Sequence, residues 1–178
     1  MRIFFTADCH FDHANIIKYC NRPFKNIDHM NEELVSRWNK VVSPGDLVYH
    51  LGDFAYKGSG PKFEKRLNGS IVHIMGNHDR NNGVKTILKY AIMEFGGMTI
   101  YATHIPPEEQ KNQYEKNKEY SMIENCSIIL CGHVHNNWKW RKFEDKYVIN
   151  VGVDMWGFQP ISISTILKLI ASIKHGVK

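Results

Sequence analysis

The stretch Ile71-Val72-His73-Ile74-Met75-Gly76-Asn77-His78-Asp79 decides how the rest of the chain is read. A short apolar run that stops at glycine has the length and make-up of a buried β-strand, and the polar cluster behind it occupies the strand's carboxyl end. In α/β proteins that is where loops converge to build sites. Working outward, the same arrangement recurs. Residues 2–7 run into Asp8-Cys9-His10, residues 47–51 into Gly52-Asp53, residues 98–102 into Thr103-His104, and residues 127–131 into Gly132-His133-Val134-His135. Five strand ends therefore finish in Asp, Asn or His.

Between these strands the periodicity predicts helices. Met30, Leu34, Trp38 and Val41 recur at helical spacing over residues 28–42, with Asp28 available as N-cap and Ser43-Pro44-Gly45 as the stop. Shorter helices are expected over 15–20 and 61–67, and a terminal one over 164–173. Gly96-Gly97 marks a hairpin between 92–95 and 98–102, and 138–143 pairs with 146–151. The polar stretch 106–120 reads as an exposed helix or a lid beside His104. No repeat or linker interrupts the pattern, so residues 1–178 are expected to form one α/β domain with mixed sheet pairing.

Composition narrows the class. With 43% hydrophobic and 23% charged residues the chain is neither disordered nor fibrous, and no apolar run is long enough for a transmembrane helix or a signal peptide. Cys9, Cys20, Cys126 and Cys131 form no CxxC pair and are expected as reduced thiols in a cytoplasmic protein. The net charge of +5 reads as a solvated surface that also suits an anionic substrate.

Of the ten histidines, five lie in the strand-end clusters. Imidazole mixed with carboxylate and amide oxygen, without thiolate, suits Mn, Fe, Zn or Ni, whereas an all-oxygen set would point to Ca or Mg. In Asp8-Cys9-His10 and His133-Val134-His135 alternate side chains share a face, so Cys9 and Val134 are expected to point away from the ligands.

This order of motifs, DxH, GD, GNHD, a lone His and GHxH from Asp8 to His135, resembles the calcineurin-like metallophosphoesterases. The resemblance implies a four-layer αββα sandwich of two mixed sheets flanked by helices, with two divalent ions, Mn first among them, on one edge. It implies Asp8, His10 and His135 on one ion, Asn77, His104 and His133 on the other, and Asp53 bridging. It also implies hydrolysis of phosphate esters by a metal-bridging hydroxide, with Asn77 on the phosphate oxygens and His78 as the non-ligand histidine that protonates the leaving oxygen.

Departures from the family narrow the substrate. Protein phosphatases of the superfamily carry GDxVDRG, and here Tyr56 and Lys57 replace the Asp and Arg. Asp79 stands where those enzymes have Glu, and 178 residues leave no room for the capping domain of the related DNA-repair nucleases. The segments 8–24 and 49–54 look most like small prokaryotic and phage members, many of which have Gly in place of Asp12. Phosphodiesters are therefore slightly favoured, including a nucleotide or a nucleic-acid end. The alternatives are a phosphomonoesterase on a small metabolite and, on relatives' example, a scaffold without catalysis. No membrane and no obligate protein partner is expected.

Outside the motifs, Arg22 before Pro23-Phe24 is either a loop residue in solvent or a phosphate contact, and His13 either reaches phosphate or hydrogen-bonds at a helix start. His50 and His73 are expected in the core or behind the ligands, and His29 and His175 on the surface. Trp138, Trp140 and Trp156 pack on strands or stack a base.

Overall fold

A computed structural model of the chain describes residues 1–86, 88–109 and 120–175. Most of the expected 106–120 stretch thus lies outside the described residues. Strands β1 (Ile3–Thr6), β2 (Leu47–His50) and β3 (Ser70–His73) run parallel, and the short β9 (Ile161–Ser162) closes the other side of β1, giving the order β3-β2-β1-β9. The second sheet has the order β4-β5-β6-β8-β7, formed by β4 (Tyr90–Phe95), β5 (Met98–Thr103), β6 (Ile128–Cys131), β7 (Trp140–Phe143) and β8 (Lys146–Asn150). Its central strands β5, β6 and β8 are parallel and its two edges antiparallel. Gly96 and Gly97 both have positive φ, 58° and 73°, which a two-residue turn between twisted strands requires.

Period-two alternation sorts the side chains into layers. Phe5, Leu51, Ile74, Ile100, Ile128, Leu130 and Ile149 fill the space between the sheets. Phe4 and Val48 face the other way, onto Met30, Leu34 and Trp38 of helix α2 (Ile27–Val41). On the far side Ile129 and Val148 meet Ile123 of helix α4 (Tyr120–Glu124), so the order of layers is helix, sheet, sheet, helix. Helix α5 (Ile163–Lys174) inserts Ile166 and Ile170 into the inter-sheet core beside β9. Helices α1 (Asn15–Tyr19) and α3 (Gly60–Glu64) are single turns on the α2 side.

The N-cap of α2 is Asn26, whose side chain accepts from the His29 N–H at 2.9 Å, and not Asp28. Asp28 sits in the first turn, where its charge favours the helix dipole instead. Strand β3 ends two residues earlier than the apolar run, since Ile74 continues only as an isolated bridge to Leu88. Among the described residues no helix is long and apolar enough to cross a membrane.

Candidate metal centre

The carboxyl ends of β1, β2, β3, β5, β6 and β8 all open onto one rim, and backbone hydrogen bonds tie them together there. Asp8 N donates to Gly52 O, His10 N to Asp53 O, Gly132 N to His104 O and Val153 N to Ala7 O, while Ala7 and Gly152 form a bridge across the two sheets. This close approach explains the glycine that precedes three of the motifs. A Cβ on Gly76 would lie 2.2 Å from Asp53 Oδ1, and one on Gly52, whose φ is +94°, would lie 2.6 Å from His104 Nδ1. The loops then turn sharply enough to hold Asp8, His10, Asp53, His133 and His135 at positive φ, from 46° to 70°. L-residues occupy that region at a cost of about 1–3 kcal/mol each, and such strain clusters at functional sites.

The side chains meet around Asp53. Ligand atoms of Asp8, His10 and His135 lie within 4.8 Å of one another, as do those of Asp8, Asp53 and His104. Asp53 Oδ2 is 3.4 Å from His10 Nε2 and 3.5 Å from His104 Nε2, between the two groups. Asn77 Oδ1 is 2.8 Å from His104 Nε2 and 3.1 Å from His133 Nδ1. The chain thus brings all seven expected ligands to one place. Cys9 packs into the core cluster under α2, whereas Val134, though nearly fully buried, lines the cleft beside the ligands.

The donor set fits divalent cations. The Leu51 carbonyl can only accept, so at 2.7 Å it takes the Nδ1–H of His104. That leaves the Nε2 lone pair of a neutral His104 facing two oxygen acceptors, an arrangement that only a proton or a metal ion between them makes favourable. His10 Nε2 is buried without any hydrogen-bond partner and faces the Asp53 carboxylate. His135 Nδ1 is 3.1 Å from Asp154 Oδ2, which fixes its tautomer and leaves the other nitrogen for Asp8 and His10.

Protonation follows the same logic. Burial opposes charge on His104 and His135, but the Asp53 carboxylate beside the first and Asp154 beside the second outweigh it, pushing them up to about 9 and about 10. Burial raises Asp8 to about 6 and depresses His10 to about 3. Asp53 is held below the usual carboxylate range because His104 and His10 overcome its burial.

His78 is exposed at the mouth of a cleft of about 350 Å³, its N–H on Asp53 Oδ1 at 3.0 Å and its ring 5.8 Å from that of His10. His13 lines the same cleft, stacked on Tyr56 at 4.8 Å with its Nδ1 3.4 Å from His10 Nδ1. A larger groove of about 980 Å³ past Arg2, Lys40, Trp156 and Thr165 contains none of the ligands and lies away from the chemistry.

Arg22 requires a correction. Neither solvated nor open to a substrate, its side chain is fully buried, paired with both Asp154 oxygens at 2.8 and 2.9 Å and donating to the carbonyls of Asp8 and Cys9. It braces the first ligand loop from behind. Asp12, the extra carboxylate, is taken up by Asn31 at 2.6 Å and Lys62 at 3.4 Å, so it holds α2 and α3 near the site and is not directed at the ligands. Buried His50 sits between Trp38 and Phe54, and His73 bonds Glu64, both behind the sheet. His175 is exposed, whereas His29 is half-buried against Phe24. Trp156 donates to Asn150 O under Lys139, and Trp138 packs on the outer core under Arg141. Neither lines the cleft.

Three supporting residues escaped the sequence reading. Asp154 follows strand β8 as Asn150-Val151-Gly152-Val153-Asp154, a sixth strand end with glycine and carboxylate that the pattern of the other five could have flagged. Asp79 stands out in the sequence only as a departure from the protein phosphatases, yet its buried carboxylate accepts from the N–H groups of Asp53, Phe54 and Gly76 and from Asn82, latching two ligand loops together. Glu109 reaches His133 Nε2 at 3.2 Å from the polar stretch, where nothing in the sequence pairs the two. The Cys20 thiol also approaches His135, but the Asp154 oxygens beside them are already held by Arg22.

The calcineurin-like phosphoesterase superfamily domain matches residues 1–167. The chain belongs to that superfamily. It is 35% identical over 181 residues to the uncharacterized protein MJ1445 of Methanocaldococcus jannaschii, across 95% of this chain and 91% of that one. Among solved structures, the protein of unknown function AQ665 from Aquifex aeolicus superposes with a TM-score of 0.76 at 31% identity, over 94% of this chain and 98% of that chain. Chaetomium thermophilum Vps29 superposes with a TM-score of 0.52 at 12% identity, over 83% of this chain and 67% of that one, a likeness of fold alone. This member of the calcineurin-like phosphoesterase superfamily therefore has the two-sheet fold and the candidate metal-binding residues expected of it.

Proposed function

We propose that the chain is a dinuclear metal-dependent hydrolase of phosphate esters that prefers diesters to monoesters. The observation that carries this reading is the convergence of Asp8, His10, Asn77, His104, His133 and His135 on the Asp53 carboxylate, with every ligand position filled. Asp8, His10 and His135 would hold one ion and Asn77, His104 and His133 the other. When bound, Mn²⁺ or a similar ion supplies positive charge that lowers the pKa of water and neutralises phosphate oxygens. Asn77, exposed at the rim, presents its amide to a non-bridging oxygen. His78 is outside the groups of ligand atoms that converge and stands at the cleft mouth, its ring 5.8 Å from that of His10, placed to give a proton to the leaving oxygen. A scaffold role draws no support from a site so fully furnished.

The diester preference rests on what faces the cleft. The described residues lining it include no Arg or Lys, Arg22 is buried behind the ligands, and Lys57 lies over the Tyr56 ring. A dianionic monoester would find no bidentate cation there, and a diester carries one charge less. The test is hydrolysis of bis(p-nitrophenyl) phosphate and p-nitrophenyl phosphate by Mn²⁺-loaded protein at neutral to mildly alkaline pH. The diester is expected to show the higher kcat/KM and phosphoserine peptides little turnover. Efficient monoester hydrolysis with the diester untouched would reverse the ranking, and no hydrolysis of either would remove the enzyme reading.

A further inference from the structure

Three aromatic side chains are broadly exposed among the described residues: Tyr19 at 72%, Tyr56 at 42% and Trp140 at 40%. Two of these flank His13, which lines the cleft beside the metal centre together with Tyr19. The ring of His13 stacks on Tyr56 at 4.8 Å and 11°, and Tyr19 stands edge-on to the same imidazole at 6.3 Å and 75°. Tyr19 ends helix α1, and its ring lines the cleft without being packed into the core. Leaving that ring in water wastes apolar area that folding would otherwise bury.

The walls indicate what would cover it. The cleft is lined by the apolar and aromatic side chains of Ile16, Tyr19 and Val134 and by the carboxamides of Asn136 and Asn137, with His10 and His135 toward the ligands and the exposed His78 at its mouth. The slot is aromatic and aliphatic on its faces, offers exposed carboxamides at its edge, and opens at the inner end onto the candidate ligands. About 350 Å³ is at the small end of ligand pockets, enough for one heteroaromatic ring and a sugar but not for a duplex. A phosphopeptide would need cations along the walls, and the described residues that line it include neither Arg nor Lys.

We infer that the cleft is a nucleoside subsite, with the base of a nucleotidyl phosphodiester stacked on Tyr19 and its polar edge on Asn136 and Asn137. This deepens the reading above and rests on it for the phosphate end. Stacking on an aromatic ring tolerates any base, so the subsite selects nucleotides over alkyl esters more than one base over another.

Two measurements test it. With Mn²⁺-loaded protein, thymidine 5′-(p-nitrophenyl phosphate) and ethyl p-nitrophenyl phosphate have the same leaving group and charge and differ only in the nucleoside. The ratio of their kcat/KM values is expected to favour the nucleoside ester at least tenfold, to fall about tenfold or more in Tyr19→Ala, and to return in Tyr19→Phe. A ratio near one in the wild type, or one unmoved by Tyr19→Ala, would overturn the subsite. Calorimetric titration with thymidine 5′-monophosphate against inorganic phosphate provides the second readout. The nucleotide should bind at least tenfold tighter to the wild type, and the advantage should vanish in Tyr19→Ala; equal affinities would reject the subsite. If neither ester is hydrolysed but the binding advantage holds, the hydrolase reading fails and the nucleoside subsite stands.

Discussion

Asp53 is the residue on which both candidate ion sites depend. Its Oδ2 stands between His10 and His104, its Oδ1 takes the His78 N–H, and its charge is stabilised by imidazoles on either side. Asp53→Asn removes charge from both sites at once, so elemental analysis after Mn²⁺ reconstitution should drop from two ions per chain to fewer than one. His78 has a different role. His78→Ala should keep the metal content of the wild type while turnover of an unactivated diester falls roughly 10²–10⁴-fold, the usual worth of a positioned acid. The defect should shrink on nitrophenyl esters, whose leaving group needs no proton; loss of metal in this variant would reassign His78 to the ligands. Protons tell a third story at this scale. Because His104 and His135 sit at about 9 and about 10 in the metal-free chain, both are charged at pH 7 and must lose a proton to bind an ion. Metal uptake should therefore release about two protons at pH 7, with affinity rising from pH 6 toward 9, as read by calorimetry in buffers of different ionisation enthalpy.

At the level of elements, the site is a set of strand ends pressed together, and the contacts between loops matter as much as the ligands. Asp79 accepts four hydrogen bonds, three of them from the backbone of the Asp53 and Asn77 loops. Asp79→Ala leaves those buried N–H groups without a partner and should cost about 2–4 kcal/mol in urea unfolding, together with a loss of metal affinity. Gly76→Ala acts by crowding, since the added methyl would overlap the Asp53 side chain and backbone. Arg22 braces from behind in a similar way: it ties Asp154, and through it His135, to the carbonyls of Asp8 and Cys9.

For the whole molecule, linkage makes stability and metal binding parts of one balance. In the metal-free protein a histidine whose folded pKa lies above the unfolded value of 6.5 contributes stability that is fully present below 6.5 and lost as pH rises through the folded pKa. His104 and His135 place that loss between pH 7 and 10. His10, depressed to about 3, acts on the other side, destabilising the fold as pH falls below 6.5. The urea midpoint of metal-free protein should thus decline from pH 7 to 10, and saturating Mn²⁺ should flatten the decline because bound ions displace those protons. A midpoint rising with pH in the metal-free protein would contradict the assigned proton positions.

Local patterning by itself determined which residues carry chemistry and which strands deliver them. Strand alternation and helical spacing are short-range properties, so Phe4 against Phe5, or Met30 with Leu34 and Trp38, could be sorted into faces before any tertiary contact was known. The five strand ends that finish in Asp, Asn or His were equally legible because each motif is a few residues long. Pairing across the sequence was not legible. Arg22 meets Asp154 across 132 positions, and Glu109 meets His133 from a stretch that reads as a solvated face. Nothing in the composition of Arg22-Pro23-Phe24 distinguishes a guanidinium that brackets the first ligand loop from one left in water; only the fold encloses it between Asp154, the carbonyls of Asp8 and Cys9, and Met30. The same holds for Tyr19 and Tyr56. One ends a helix and the other follows the Asp53 loop, and they flank His13 because the loops after the neighbouring parallel strands β1 and β2 go on pairing, with a bridge between Phe11 and Ala55 and the Tyr56 N–H on Phe11 O, a pairing across more than forty positions.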